Sequence, residues 1–291
     1  VTEVNDAIGY LSDHGNPLHQ SMGQPGMPEP DDSLLVFGDL INKNYSFKDV
    51  FMDKPGAMQG FKTLVIVRPT YSFSDYELLQ IDQFLMQGNS IALYMDQFVD
   101  VANREPGPNP MMKNKPVFMP VKTGLEKLLA HYAGLTVEDA VILDKNCWRQ
   151  PLPQEMGGGD RPIYMAPILT KDEINHEPGF MRNIPTLVFL KVSPVTVDAE
   201  YAAKQGVKVT ELLRSTKESW LLQNITDFNP SSIPGPSDDQ EFESYPFAYM
   251  LEGEFTSYFA DKEIPIDQAP ANEQAPQDPA AQSGSPAIKV R

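Results

Sequence analysis

A single cysteine, Cys147, is all that the sequence contains, so no intrachain disulfide can form and a disulfide-stapled secreted module is excluded. The periplasm stays open, because a chain of 291 residues can bury a core without such staples. Long apolar runs are missing too. Stretches such as Thr63–Val67 and residues 187–190 are among the longest, well short of the roughly 18–20 residues of a membrane span. Neither G-x-G-x-x-G nor G-K-[ST] occurs, which removes the familiar phosphate-cradling loops. Gly-x-Ser-x-Gly and Ser-x-x-Lys are absent as well. Basic residues are scarce, 23 against 40 acidic ones, for a net charge of −17 and a pI near 4.6. A field of that sign repels phosphate backbones and anionic lipid headgroups, so no nucleic-acid partner, no nucleotide cofactor and no direct headgroup binding are expected. The chain opens on Val1 with neither Met nor a signal peptide, and a longer parent protein is therefore expected.

What is present is an α/β alternation. Ala7–Leu11, residues 45–51, Thr63–Val67, residues 90–95 and residues 141–143 carry the short apolar runs of buried strands. Helices alternate with them. Leu34, Phe37, Leu40 and Ile41 fall on one helical face within residues 31–41. Ser74 and Glu77 form an S-x-x-E capping box ahead of the stripe Leu78, Ile81, Phe84 and Leu85, with Gly88 as a stop. Thr123 and Glu126 repeat the box ahead of Leu125, Leu128, Leu129 and Tyr132, with Gly134 as the stop. Such βαβ grammar predicts an α/β fold with a doubly wound, mostly parallel sheet that includes residues 141–143. The second half is less regular. Residues 145–167, with Pro151, Pro153 and three consecutive glycines, read as a long loop. Residues 187–190, 207–213 and 219–222 are strand candidates, and residues 247–259 read as ordered. One α/β domain is expected over residues 1–264. A Pro/Ala/Gln-rich linker follows over residues 265–291, with the start of a further strand at residues 287–291.

Ligands of open α/β sheets bind beyond the carboxyl ends of the strands. Asp13, His14, Arg68 and Asp96 stand at such ends and are the candidate ligand-binding residues. His19 follows the first strand as well, and Asp144 ends a strand that could converge on the same edge. No Cys or close His pair supports a metal. Cys147, between Asn146 and Trp148, lacks the small neighbours that a nucleophile at a sharp strand-to-helix turn requires, so no catalytic residue is assigned.

Several segments taken in order resemble the GldG-like family, the extracytoplasmic auxiliary domains that accompany ABC transporters, gliding-motility transporters among them. In residues 61–96 the family pattern of strand, Pro, Ser-led helix, Gly and a strand ending in Asp falls on Pro69, Ser74, Gly88 and Asp96. GLEKLL at residues 124–129 and VILD at residues 141–144 follow, then LLRSTKESW at residues 212–220. Last comes the A-x-x-L-E-G-x-F-x-S-x-F signature on Ala248, Leu251, Glu252, Gly253, Phe255, Ser257 and Phe259. The resemblance spans residues 7–262. It implies a fold similar to the class I glutamine amidotransferase-like, flavodoxin-like sandwich, also seen in an intraflagellar-transport domain, without its catalytic residues. It also implies a periplasmic domain held at the cytoplasmic membrane by flanking transmembrane helices, with an ABC permease and ATPase as partners.

The expected function is a non-enzymatic auxiliary domain of an ABC-type transport system, acting as scaffold or in contact with substrate. Two alternatives stay open: a solute-binding module with its pocket at Asp13, His14, Arg68 and Asp96, and a divergent amidotransferase-like hydrolase. A filled strand edge favours the first reading, and a cleft with convergent polar groups favours the second.

Overall fold

The computed structural model describes residues 7–20, 33–54, 56–101, 117–224 and 227–266. The strand expected at residues 287–291, the linker from residue 267 onward and the start of the first predicted helix at residues 31–32 lie outside them.

The chain opens with β1 (Ala7–Leu11), α1 (Leu35–Ile41), β2 (Ser46–Val50), β3 (Thr63–Val67), α2 (Asp75–Met86) and β4 (Ser90–Tyr94). The four strands form one parallel sheet in the order β2-β1-β3-β4. Both faces are covered, which explains why β3 is an unbroken apolar run. Leu64 and Ile66 point into a core shared with Leu78, Ile81 and Phe84 of α2, and Val65 and Val67 point into a second core with Phe37 and Ile41 of α1. Leu40, placed on the same stripe by its spacing, is instead 54% exposed. The Ser74–Glu77 capping box forms as expected, each side chain bonding the other residue's backbone N–H.

Beyond β4 the pairing changes. The next elements are β5 (Phe98–Val101), β6 (Val117–Pro120), α3 (Leu125–Ala133), β7 (Leu135–Val137), β8 (Ala140–Asp144), β9 (Cys147–Pro151), β10 (Asp160–Leu169) and β11 (Leu187–Val188). Then come β12 (Val195–Val197), α4 (Ala199–Lys204), β13 (Lys208–Arg214), β14 (Ser219–Gln223) and β15 (Pro246–Glu252). Every ladder among these strands is antiparallel: β5 with β6, β7 with β12, β8 with β14, β9 and β11 with β10, and β13 with β15. The fold is thus mixed α/β, a four-stranded parallel sheet plus several antiparallel ones. The expectation of one mostly parallel sheet holds for four strands and fails for residues 141–143, which pair antiparallel with β14. Residues 145–167 are likewise not a loop. They form the β9–β10 hairpin, whose connection contains the glycine triplet and whose second strand carries a bulge between Ile163 and Pro167.

Before α3, Glu126 accepts from the N–H groups of Thr123 and Gly124 at 3.1 and 2.7 Å, so the acidic half of the expected Thr123–Glu126 box forms, with Gly124 in the cap position. The chain then returns to the first core through its carboxyl-terminal signature. Phe259 is buried there, and Phe255 packs against the Tyr132 ring at 5.4 Å. Ser257 Oγ and the Tyr258 N–H donate to the fully buried Asp82 of α2 at 2.6 and 2.9 Å.

Candidate functional site

In the order β2-β1-β3-β4 the connections leave β1 and β3 in opposite directions, so the topological switch point lies between the carboxyl ends of these two strands. All four predicted residues stand at that edge of the sheet. They form two pairs rather than one pocket.

The first pair is Asp13 and His14. Asp13 accepts from the Met52 N–H at 2.5 Å, tying the end of β1 to that of β2, and from His14 Nδ1 at 2.8 Å. The other ring nitrogen of His14 faces Glu77 Oε1 at 3.6 Å, and the ring stacks on Phe73 with centroids 3.9 Å apart. Burial works against charging His14, but its bonds to Asp13 and Glu77 prevail and push its pKa up to about 9. Burial likewise opposes ionisation of Glu77. The bonds from His14 and Ser74 reverse this and bring it down to about 2. His14 is thus a buried cation clamped between two carboxylates, one of which also caps α2.

The switch-point crevice itself is closed. The His14 carbonyl accepts from the N–H groups of Thr70 and Tyr71 at 2.8 and 3.2 Å, and Asn16 Nδ2 donates to the Val67 carbonyl at 2.7 Å. The two loops approach so closely that a Cβ on Gly15, at φ +71°, would lie 1.9 Å from Thr70 Oγ1. Gly15→Ala is therefore expected to destabilise the domain by about 1–2 kcal/mol, from left-handed strain and displacement of Thr70. Urea unfolding measures it.

The second pair is Arg68 and Asp96, at the ends of β3 and β4, with Nε to Oδ2 at 2.8 Å and both side chains nearly half exposed. Arg68 holds φ +45° while its N–H donates to the Tyr94 carbonyl, and Lys191 adds a second positive charge within reach of Asp96. Asp144 does not join this edge. It ends β8 in another sheet, fully buried, and accepts from Asn146 N–H, Thr216 N–H, Thr216 Oγ1 and Ser219 Oγ at 2.8–2.9 Å. Four donors satisfy the carboxylate, which makes it a structural tie.

A third cluster was not legible as such. Asp49 of β2 accepts from Ser12 Oγ, from His19 Nε2 at 2.8 Å and from Gln20 Nε2 at 2.5 Å. It lines a cleft of about 270 Å³ over the ends of β1 and β2. In sequence Asp49 is one polar residue inside a strand, and only the parallel pairing of β2 with β1 brings it to Ser12 and His19.

Cys147 begins β9, buried, with its thiol pushed above the ordinary value by burial. Among the described residues no group of three or more His, Cys, Asp or Glu is arranged to hold a metal, and no helix is long and apolar enough to cross a membrane.

A mixed α/β domain whose strand edge is tied off by internal ion pairs and backbone bonds defines the class. The particular family follows from the sequence as a whole. The chain belongs to the ABC transporter auxiliary family described as "ABC-type uncharacterized transport system", whose model matches residues 5–288. The family places the protein as an auxiliary component of such a system, in association with transporter components. No curated protein matches the chain significantly. Among solved structures it is similar to the mmIFT52 N-terminal domain, at 12% identity and a TM-score of 0.47, over 89% of this chain and 92% of that one.

Proposed function

We propose that the protein is a non-enzymatic, extracytoplasmic domain of the GldG-like kind, with an amidotransferase-like ancestry, and that it works by contact with the permease and ATPase of its ABC-type transport system. Family membership supports the transport setting. The observation that carries the non-enzymatic part is the closed switch point: the place where an open α/β sheet would receive a substrate is occupied by the loop of residues 12–16 bonded to the end of β3. Two groups that could do chemistry are held or buried. His14 is held by two carboxylates, and the Cys147 thiol is buried and poorly ionised. The reading of Asp13, His14, Arg68 and Asp96 as one solute pocket has less support, because their partners are one another.

Cys147→Ser in the parent protein is expected to leave transport at the wild-type level. The native thiol should react with iodoacetamide only once the protein is unfolded. Loss of transport by a folded, normally abundant Cys147→Ser variant would contradict the non-enzymatic reading.

A further inference from the structure

The cleft over β1 and β2 lies beside the closed switch point, and the direction of its hydrogen bonds defines what it can receive. Asp49 is held below the usual carboxylate range. Burial opposes this, but the bonds from Ser12 and His19 outweigh it. As a carboxylate it can only accept, so every group that touches it must donate. Ser12 has one hydroxyl proton and Asp49 takes it, which leaves lone pairs on Oγ. His19 bonds Asp49 through Nε2, and in the tautomer that carries its proton there Nδ1 is an acceptor. Gln20 gives its amide N–H, which leaves Oε1. The polar lining that remains is therefore rich in acceptors. His19 Nδ1 fits the same imbalance: the residue is 3% exposed, it lines the cleft, and among the described residues this nitrogen has no hydrogen-bond partner.

We propose that this cleft binds a small organic cation carrying N–H donors, a primary amine or a guanidine. Its ammonium or guanidinium group would meet Asp49 and Ser12, and its aliphatic body would lie against Phe51 and Leu18 on the apolar side. Charge favours the same class, since the chain carries a net −17. The volume, about 270 Å³, is at the small end of ligand pockets and suits a compact molecule rather than a polymer. Neither the ligand class nor the site follows from the family, and the inference stands apart from the transport reading.

The experiment uses the full 291-residue chain with putrescine and agmatine as probes and butane-1,4-diol as the uncharged control, followed by calorimetric titration and by the side-chain ¹⁵N signals of the histidines. Saturable binding of an amine is expected, with a shift confined to His19 among the four histidines and no binding of the diol. Asp49→Asn keeps the shape and removes the charge, and should weaken the amine about tenfold or more. Gln20→Leu, at an exposed side chain, gives a second reading should the first variant fold poorly, and should weaken binding a few-fold. The proposal is overturned if neither amine binds saturably, if the diol binds as well as the diamine, or if binding leaves the His19 signals unmoved and survives both substitutions.

Discussion

Asp82→Ala is expected to cost the domain about 3–5 kcal/mol, because it strands several donors around one fully buried site. Asp82 sits on the inner face of α2 with no exposure, and among the described residues no cation pairs with it. Its carboxyl group is held by hydrogen bonds alone: Tyr132 Oη at 2.7 Å, Ser257 Oγ at 2.6 Å, the Tyr258 N–H at 2.9 Å and Gln83 Nε2 at 3.2 Å. The network joins α2, α3 and the carboxyl-terminal signature, elements up to 176 residues apart in the chain. Truncation to Ala leaves the buried Tyr132 phenol and the half-buried Ser257 hydroxyl and Tyr258 N–H without this acceptor, each worth up to about 1–3 kcal/mol when stranded. Asp82→Asn retains one acceptor and should lose less. The Asp82→Ala and Ser257→Ala losses should fall short of adding, because both break one network. Urea unfolding measures the energies, and hydrogen exchange should show early opening of residues 255–259. A loss below about 1 kcal/mol would mean that the carboxyl-terminal segment is held by its phenylalanines and not through Asp82.

The second large effect is on pH dependence. His14 rises from 6.5 when unfolded to about 9 in the fold, so its contribution is complete below pH 6.5 and is lost as pH climbs through 9. Glu77 falls from 4.5 to about 2, so its contribution is complete above pH 4.5 and is lost as pH drops through 2. Between pH 4.5 and 6.5 both are present in full. From the His14 shift, the stability of the wild type should decline by about 2–3 kcal/mol more than that of His14→Gln between pH 6.5 and 9. Thermal unfolding of the two proteins across this range checks it. Parallel pH profiles for the two would show that His14 carries no extra proton in the fold.

The parallel sheet was legible because its signals are local. A capping box, a stripe and a glycine stop fall within the span of α2, and short apolar runs flank it. Partner choice is not local. The run AVILD of β8 is buried on every side chain, and nothing in such a run distinguishes a parallel neighbour from the antiparallel β14 that it finds about 80 residues later. The β9–β10 hairpin was hidden by its prolines and glycines, since Pro162 and Pro167 lie inside a strand that the bulge relieves. For the candidate site, strand ends pointed to Asp13, His14, Arg68 and Asp96, which stand at one edge of the sheet. That each is paired with a neighbour depends on the loop docking between β1 and β3. Asp82 left a trace that a stricter count finds: it lies four residues after Leu78, within the apolar stripe of α2, where a charge needs a reason. The signature of residues 248–259 supplies that reason through Ser257, and Gly253 is small because a Cβ there would sit 2.8 Å from the Gly206 carbonyl oxygen.

The most direct test of the central claim is co-purification of the tagged parent protein from its native membrane, with quantitative mass spectrometry of what accompanies it. The account predicts that one ABC permease and its ATPase are recovered in fixed proportion to the parent protein. It further predicts that Asp82→Ala, by opening the carboxyl-terminal segment, lowers their recovery, whereas Cys147→Ser leaves it unchanged. Recovery of the intact parent protein with neither permease nor ATPase would contradict it.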